Sequence, residues 1–302
     1  MTDAPAPYQF FTVEVLRTER ITPAMARVVL GGADLARMAT AGRDQRVKLF
    51  LPHPGQDEPV MPDTGRADWY DAWRELDPDL RGIMRTYTVR ELTRDPHELV
   101  IDFALHGDGG NGTGAGTGTR AGAGNSAGDD GAESGPASRW ARTARPGDRI
   151  AVLAPVDEEN SAYGFRPPDG TDWILLTADE SAIPAIAGIL ESLPPGMPAR
   201  VWIEIHDPAD RQDLPTKADA EITWLVANTS PATTDAVRSA TLPEGTPYAW
   251  VAGESATVKA VRRHLVRERG FDRKAVKFSG YWRRGTSEDH LLHVVEDPAE
   301  DS

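Results

Sequence analysis

The sequence predicts a two-domain β + α/β protein: an N-terminal six-stranded antiparallel β-barrel followed by a C-terminal α/β domain with a mainly parallel sheet. Three observations carry that expectation. The first half reads as short β-rich runs parted by Gly, Pro and Asp, the rhythm of a small closed sheet. From about Asp172 apolar strands alternate with helical periods, the mark of βα units. The chain, at 302 residues, is long for a single core, and two domains are the default.

Taken in order, "FFTVEVLRTE" and "MARVVLGG" are strands parted by the turn-like "RITPA", and "RVKLFLP" follows after a loop. "IMRTYTVREL" comes next, then "ELVIDFALHG" behind the turn "TRDPH", then "DRIAVLAP" behind "RPGD". The intervening "RADWYDAWREL" reads as a helix lying against the barrel. In the second half "WILLT" is a short strand, and "SAIPAIAGILESL" is a helix with Ile183, Ile186, Leu190 and Leu193 on one face. Ser181 is its expected cap, and Pro184 sits in the first turn, where a missing N–H costs little. "RVWIEIH", "ITWLVA" and "YAWVA" are strands, with helix-like "TTDAVRSATL" between the last two. "ESATVKAVRRHLVRERG" turns Val258, Val261 and Leu265 inward and stops at Gly270, and "AVKFSGYW" closes the sheet. The expected boundaries are 1–155 for the barrel and 170–290 for the α/β domain. A flexible Gly-rich insertion is expected at 107–134 and a fraying acidic tail at 291–302.

Composition narrows the function classes. No cysteine is present, so disulfides, thiolate zinc sites and cysteine-held iron–sulfur clusters are excluded. The seven histidines form no HExxH or i, i+4 pair, and no resident metal is expected. No apolar run approaches the ~20 residues that span a bilayer, and the first residues lack a signal-peptide pattern. The expected location is cytoplasmic, with no membrane partner and a monomer as the unit. A net charge of −14 argues against nucleic acid. The balance is uneven, however: Lys259–Arg284 holds ten Lys/Arg against Glu268 and Asp272, a local +8 that leaves −22 elsewhere.

Chemistry is suggested at four places. "RTYT", Arg85–Thr88, sets an arginine fork suited to a diphosphate beside a phenol ring and hydroxyls suited to a flat heterocycle. "GPASRWA" opens a helix at Gly135 and Pro136, where the N–H groups of Ala137 and Ser138 and the Ser138 hydroxyl make an anion site. "TADESAIPA" occupies the first strand-to-helix turn of the second half, where a dinucleotide would meet a helix N-terminus. It lacks the glycines of GxGxxG, and Asp179 and Glu180 would repel a pyrophosphate. Lys277, Arg283 and Arg284 flank Tyr281 and Trp282, and Lys48 on "RVKLFLP" would join them if the two halves face each other. A positive cleft of that kind attracts anionic complexes.

"RTYT", "DFALHG" and "GPASRWA", in this order, resemble the flavin-binding half of the ferredoxin–NADP reductase superfamily. "LLTADESAIPAIAGILESLP", "WVAGESATVKAVRRHL" and "FSGYWRRG" resemble more narrowly the siderophore-interacting proteins, flavin reductases that release iron from ferric siderophores. The resemblance runs from about Phe10 to Gly285; the Gly-rich insertion departs from it. It implies FAD in the barrel, with Arg85 on the pyrophosphate, Tyr87 and Thr88 on the isoalloxazine, and Thr86 among the cofactor-binding residues. It implies further cofactor contacts from Asp102, His106, Gly135, Ala137, Ser138, Asp179 and Trp282. Lys48, Lys277 and Arg284 would hold a ferric siderophore. The donor is left open between NADH, NADPH and reduced ferredoxin. Two other readings stay open: a general NAD(P)H-dependent flavin or ferric reductase, and a non-enzymatic module that sequesters a siderophore.

Overall fold

The computed structural model describes residues 7–63, 68–105 and 135–283. β1 (Tyr8–Thr22), β2 (Met25–Gly31), β3 (Arg46–Leu51), β4 (Ile83–Thr88), β5 (Glu91–Arg94), β6 (His97–Ala104) and β7 (Arg149–Pro155) form one antiparallel sheet. Its order is β4-β3-β7-β1-β2-β6-β5. The period-2 pattern explains the curl. Phe11, Val13, Val15, Val28, Leu30, Val47, Leu49, Leu99, Ile101, Ile150 and Val152 turn to one interior cluster, so the sheet wraps around them. The wrap brings β4 back beside β6, with the Tyr87 and Phe103 ring centroids 4.4 Å apart. The expected strand "IMRTYTVREL" is two: β4 and β5 are parted where Val89 N–H donates to Gln45 O and Arg90 N–H to Val100 O. The chain there leaves β3 as its partner and takes up β6, giving seven strands rather than six. Outside the sheet, α1 (Trp69–Glu75) packs Trp73 against Phe50 and donates its indole N–H to Gly82 O.

The second sheet is all parallel: β8 (Trp173–Asp179), β9 (Pro198–Ile205), β10 (Asp219–Val226), β11 (Pro247–Glu254) and β12 (Val276–Trp282), in the order β10-β9-β8-β11-β12. α4 (Thr233–Ser239) and α5 (Ser255–Arg267) cover one face and α3 (Ile183–Ser192) the other. Val258, Val261 and Leu265 of α5 are buried, and Gly270, at φ +75, turns the chain so that Phe271 N–H reaches Leu265 O. Ser181 does not cap α3. Asp179 accepts the Ser181 N–H and caps a 3-10 turn, Glu180–Ala182, that precedes the helix.

α3 is buried from Ile183 to Leu190 on every side, as a helix between two layers must be. Its outer face meets the barrel through Met25, Ile21 and Ala104. Gly188 lets the Arg43 carbonyl come so close that a Cβ there would lie 2.2 Å from it. Asp44, 3% exposed, accepts Gly164 N–H and Phe165 N–H from the connecting segment and the Trp250 indole N–H from β11, all at 2.9–3.0 Å. Asp210 accepts Ala24 N–H at 2.7 Å, and Arg90 pairs with Glu191 at 2.7 Å. These contacts fix the barrel on the second sheet.

Candidate functional site

α2 (Pro136–Thr143) begins at Gly135 with no side-chain cap. Arg139 N–H is the first to find a helical carbonyl, on Gly135, and the amides of Ala137 and Ser138 precede it in the open turn. Ser138 is 5% exposed, and its hydroxyl is buried with no hydrogen-bond partner among the described residues. A buried hydroxyl left unpaired is rare enough to need a reason, and an anion at the helix start supplies one. Trp140 of α2 packs tilted against Phe103 of β6 at 5.6 Å, and Phe103 tilted against Tyr87 of β4. Arg85, two residues before Tyr87 and on the same face, is 7% exposed and donates to Met84 O. Arg85, Tyr87, Gly135, Ala137 and Ser138 are thus brought together around one aromatic row.

Thr86 and Thr88 point the other way, toward the seam between the sheets. Lys48 donates to the Thr86 hydroxyl at 2.8 Å, and Arg46 is the register partner of Thr88. Across the seam, Tyr281 of β12 sets its ring edge-on to Trp250. Its hydroxyl lies beside Thr88, buried but not aligned for a hydrogen bond. Burial, with Asp44 nearby, pushes this phenol well above its usual pKa. Lys277, on the same side of β12, lays its terminal carbon against Gly164.

Asp179 ends β8 and gathers the C-terminal ends of three strands. Its carboxylate accepts Ser181 N–H and hydroxyl, Glu254 N–H from β11 at 2.7 Å, and the Trp282 indole N–H from β12 at 2.7 Å. Gly253, at φ +129, is required beside it, because a Cβ would stand 2.5 Å from Asp179 Oδ2. Glu180, 3% exposed, accepts both the backbone N–H and Nδ1 of His206, and that hydrogen bond raises the imidazole pKa.

A siderophore-interacting FAD-binding domain model matches residues 14–159, and a siderophore-interacting protein model matches residues 171–285. The chain belongs to the siderophore-interacting protein family. The ferric-chelate reductase of Escherichia coli described as NADPH-dependent is 30% identical, over 91% of this chain and 93% of the relative. Ferric vibriobactin reductase ViuB of Vibrio cholerae is 27% identical, over 94% of each. The crystal structure of the siderophore-interacting protein SipS from Aeromonas hydrophila superposes with a TM-score of 0.71 at 28% identity, covering 96% of this chain and 97% of that one.

Within this siderophore-interacting protein, the remaining expected site residues fall as follows. Asp102 lies on the opposite face of β6 from Phe103, and both its oxygens accept from Arg27, at 2.7 and 2.8 Å. Its carboxylate is therefore turned away from the aromatic row. Asp179 and Trp282 bond each other at the C-terminal ends of β8 and β12. His106, Arg284, the insertion and the tail lie outside the described residues. Part of the basic segment is structural: Arg262 covers the Phe278 ring at 4.2 Å, and Arg269 donates to Arg238 O and Ala240 O. Among the described residues no cluster of His, Asp or Glu is placed to hold a metal ion, and no helix is long and apolar enough to cross a membrane. The sequence reading missed Asp44, Glu254 and Gly188. Only Gly188 left a signal, a lone glycine inside an Ala/Ile helix, which pays in propensity unless packing needs it.

Proposed function

We propose that this protein binds FAD on the barrel and reduces ferric siderophore complexes in the cytoplasm, as a monomer, releasing iron as Fe(II). The observation that carries the reading is the unpaired, buried Ser138 hydroxyl at the open start of α2, on the same aromatic row as Arg85 and Tyr87. Those residues fit a diphosphate joined to a flat ring. The Arg85 guanidinium neutralises the diphosphate, and the Ser138 hydroxyl with the Ala137 and Ser138 amides donates to it. Among the described residues nothing stands within 4 Å of where a Gly135 Cβ would be. Tyr87 flanks the ring, and Thr86 and Thr88 line its edge on the seam side. Asp102 holds Arg27 and so the strand pair under the site, while Asp179 holds Trp282 at the site's outer rim.

FAD, when bound, supplies a carrier that takes electrons from a donor and passes them singly to ferric iron. The protein's share is binding, orientation and capture. Lys48 and Lys277, with Arg284, attract anionic ferric complexes toward the seam, and Fe(II), held less tightly by the same oxygen ligands, leaves. NADH, NADPH and reduced ferredoxin are the candidate donors. The reductase names of the Escherichia coli and Vibrio cholerae relatives support this reading. The test is the dependence of rate on substrate. A ferric siderophore should saturate the FAD-loaded protein, whereas a rate linear in any ferric chelate would favour a general ferric reductase.

A further inference from the structure

The order β10-β9-β8-β11-β12 places a topological switch point between β8 and β11. In open parallel sheets that crevice, beyond the C-terminal strand ends, is where a dinucleotide lays its diphosphate against helix N-termini. A pyridine dinucleotide is among the candidate donors, so the fit of its diphosphate to this crevice can be tested on the residues present. They do not fit. The N-terminus of α5 is closed by the protein itself: Glu254 Oε2 accepts the N–H of Ala256 at 2.7 Å and of Thr257 at 3.0 Å. The turn before α3 is closed the same way, its Ser181 N–H taken by Asp179 Oδ1 at 3.0 Å. Asp179 Oδ2 takes the Glu254 N–H and the Trp282 indole N–H, and Glu180 takes two donors of His206. The amides and the indole that an anion would need thus already face carboxylates.

We propose that the switch-point crevice is closed to diphosphates by Glu254 and Asp179. A pyridine dinucleotide that reduces this protein then does so without its diphosphate being held there. Seating one would require Glu254 to leave two charge-assisted hydrogen bonds and would set two negative groups side by side. Asp179 serves instead as a positioning residue that ties the ends of β8, β11 and β12 and fixes the Trp282 indole. The proposal rests on the reductase reading only in treating a reduced dinucleotide as a candidate donor.

ADP-ribose carries the diphosphate but no nicotinamide, so its binding is read apart from flavin reduction. Calorimetric titration of the FAD-loaded protein with ADP-ribose should show no saturation below roughly millimolar concentration. Glu254→Ala bares the two α5 amides and removes a charge, and should tighten binding by about tenfold or more. Glu254→Gln keeps an acceptor at the cap without the charge, so its gain should be smaller; it also serves if the alanine variant does not fold. Micromolar binding by the wild type overturns the proposal whatever the variants do. Weak binding that neither folded variant improves also overturns it, because the carboxylate is then not what excludes the ligand.

Discussion

Replacing Asp44 by alanine removes the acceptor on which the connecting segment and β11 both converge. Three N–H groups, from Gly164, Phe165 and the Trp250 indole, lose their carboxylate together. A hydrogen bond to a charged group contributes about 1.5–3 kcal/mol, and a buried donor left unpaired costs about 1–3 kcal/mol. The three donors share one partner, so their losses do not add fully, and water enters part of the vacated space. A destabilisation of about 3–5 kcal/mol is expected. In urea this moves the unfolding midpoint down by about 1–2.5 M for a slope of about 2–3 kcal/mol per M. Asp44→Asn keeps one acceptor oxygen but turns an NH2 toward donors, and should lose roughly half as much. The assay is urea unfolding followed by far-UV circular dichroism and tryptophan fluorescence. Because Asp44 bridges the two sheets, the alanine variant should also separate one transition into two, read differently by the two probes. A stability within about 0.5 kcal/mol of wild type, with the two signals still coincident, would refute the seam as described.

Further expectations follow from the same geometry. Gly188→Ala drives a Cβ to within 2.2 Å of the Arg43 carbonyl and should destabilise by about 1–3 kcal/mol despite its better helix propensity; a stabilised variant would refute that contact. Arg85→Ala should weaken FAD binding about 10–100-fold in a fluorescence titration and Ser138→Ala less than tenfold; unchanged affinity in Arg85→Ala would remove it from the site. Lys48→Ala with Lys277→Ala should raise the KM for an anionic ferric siderophore, most at low salt, with FAD still bound; equal rates at all salt concentrations would sink that assignment. His206, its pKa raised above 6.5 by the hydrogen bond to Glu180, contributes stability that is full below pH 6.5 and is lost as pH rises through the raised value. Thermal midpoints should fall over that window and Glu180→Gln should flatten the dependence; an unaltered slope would contradict it.

Much of the fold was legible because its determinants are local. Alternating burial along β1, β2 and β6 and the helical period of α5 can be read directly from residue order. The division of "IMRTYTVREL" could not be read there, because Val89 and Arg90 change partner strand and nothing local records which strand lies opposite. The cap expected at Ser181 was misplaced for a related reason: α3 has no side-chain cap, and the capping carboxylate, Asp179, closes the 3-10 turn before it. Asp179 and Ser181 are both good capping residues, and only the tertiary bonds from Glu254 and Trp282 fix where the carboxylate points. At the proposed site, the closeness of Tyr87 to Phe103 and Trp140 was not legible either, because it joins β4, β6 and α2. The pairing of Asp102 with Arg27 was not legible, because the two residues meet across neighbouring strands and lie far apart in sequence. The seam through Asp44, Gly188 and Tyr281 joins positions far apart in sequence. No periodicity marks such contacts.

The central claim is that this chain carries electrons through FAD to a ferric siderophore. The most direct measurement is the visible absorption spectrum of the purified protein, followed under anaerobic conditions while a donor and then a ferric siderophore are added. A yellow protein that bleaches with NADH, NADPH or reduced ferredoxin, and regains its colour as the siderophore is reduced, is the expected result. A colourless protein that FAD does not reconstitute, or a bleached one that the siderophore leaves bleached, would contradict the account.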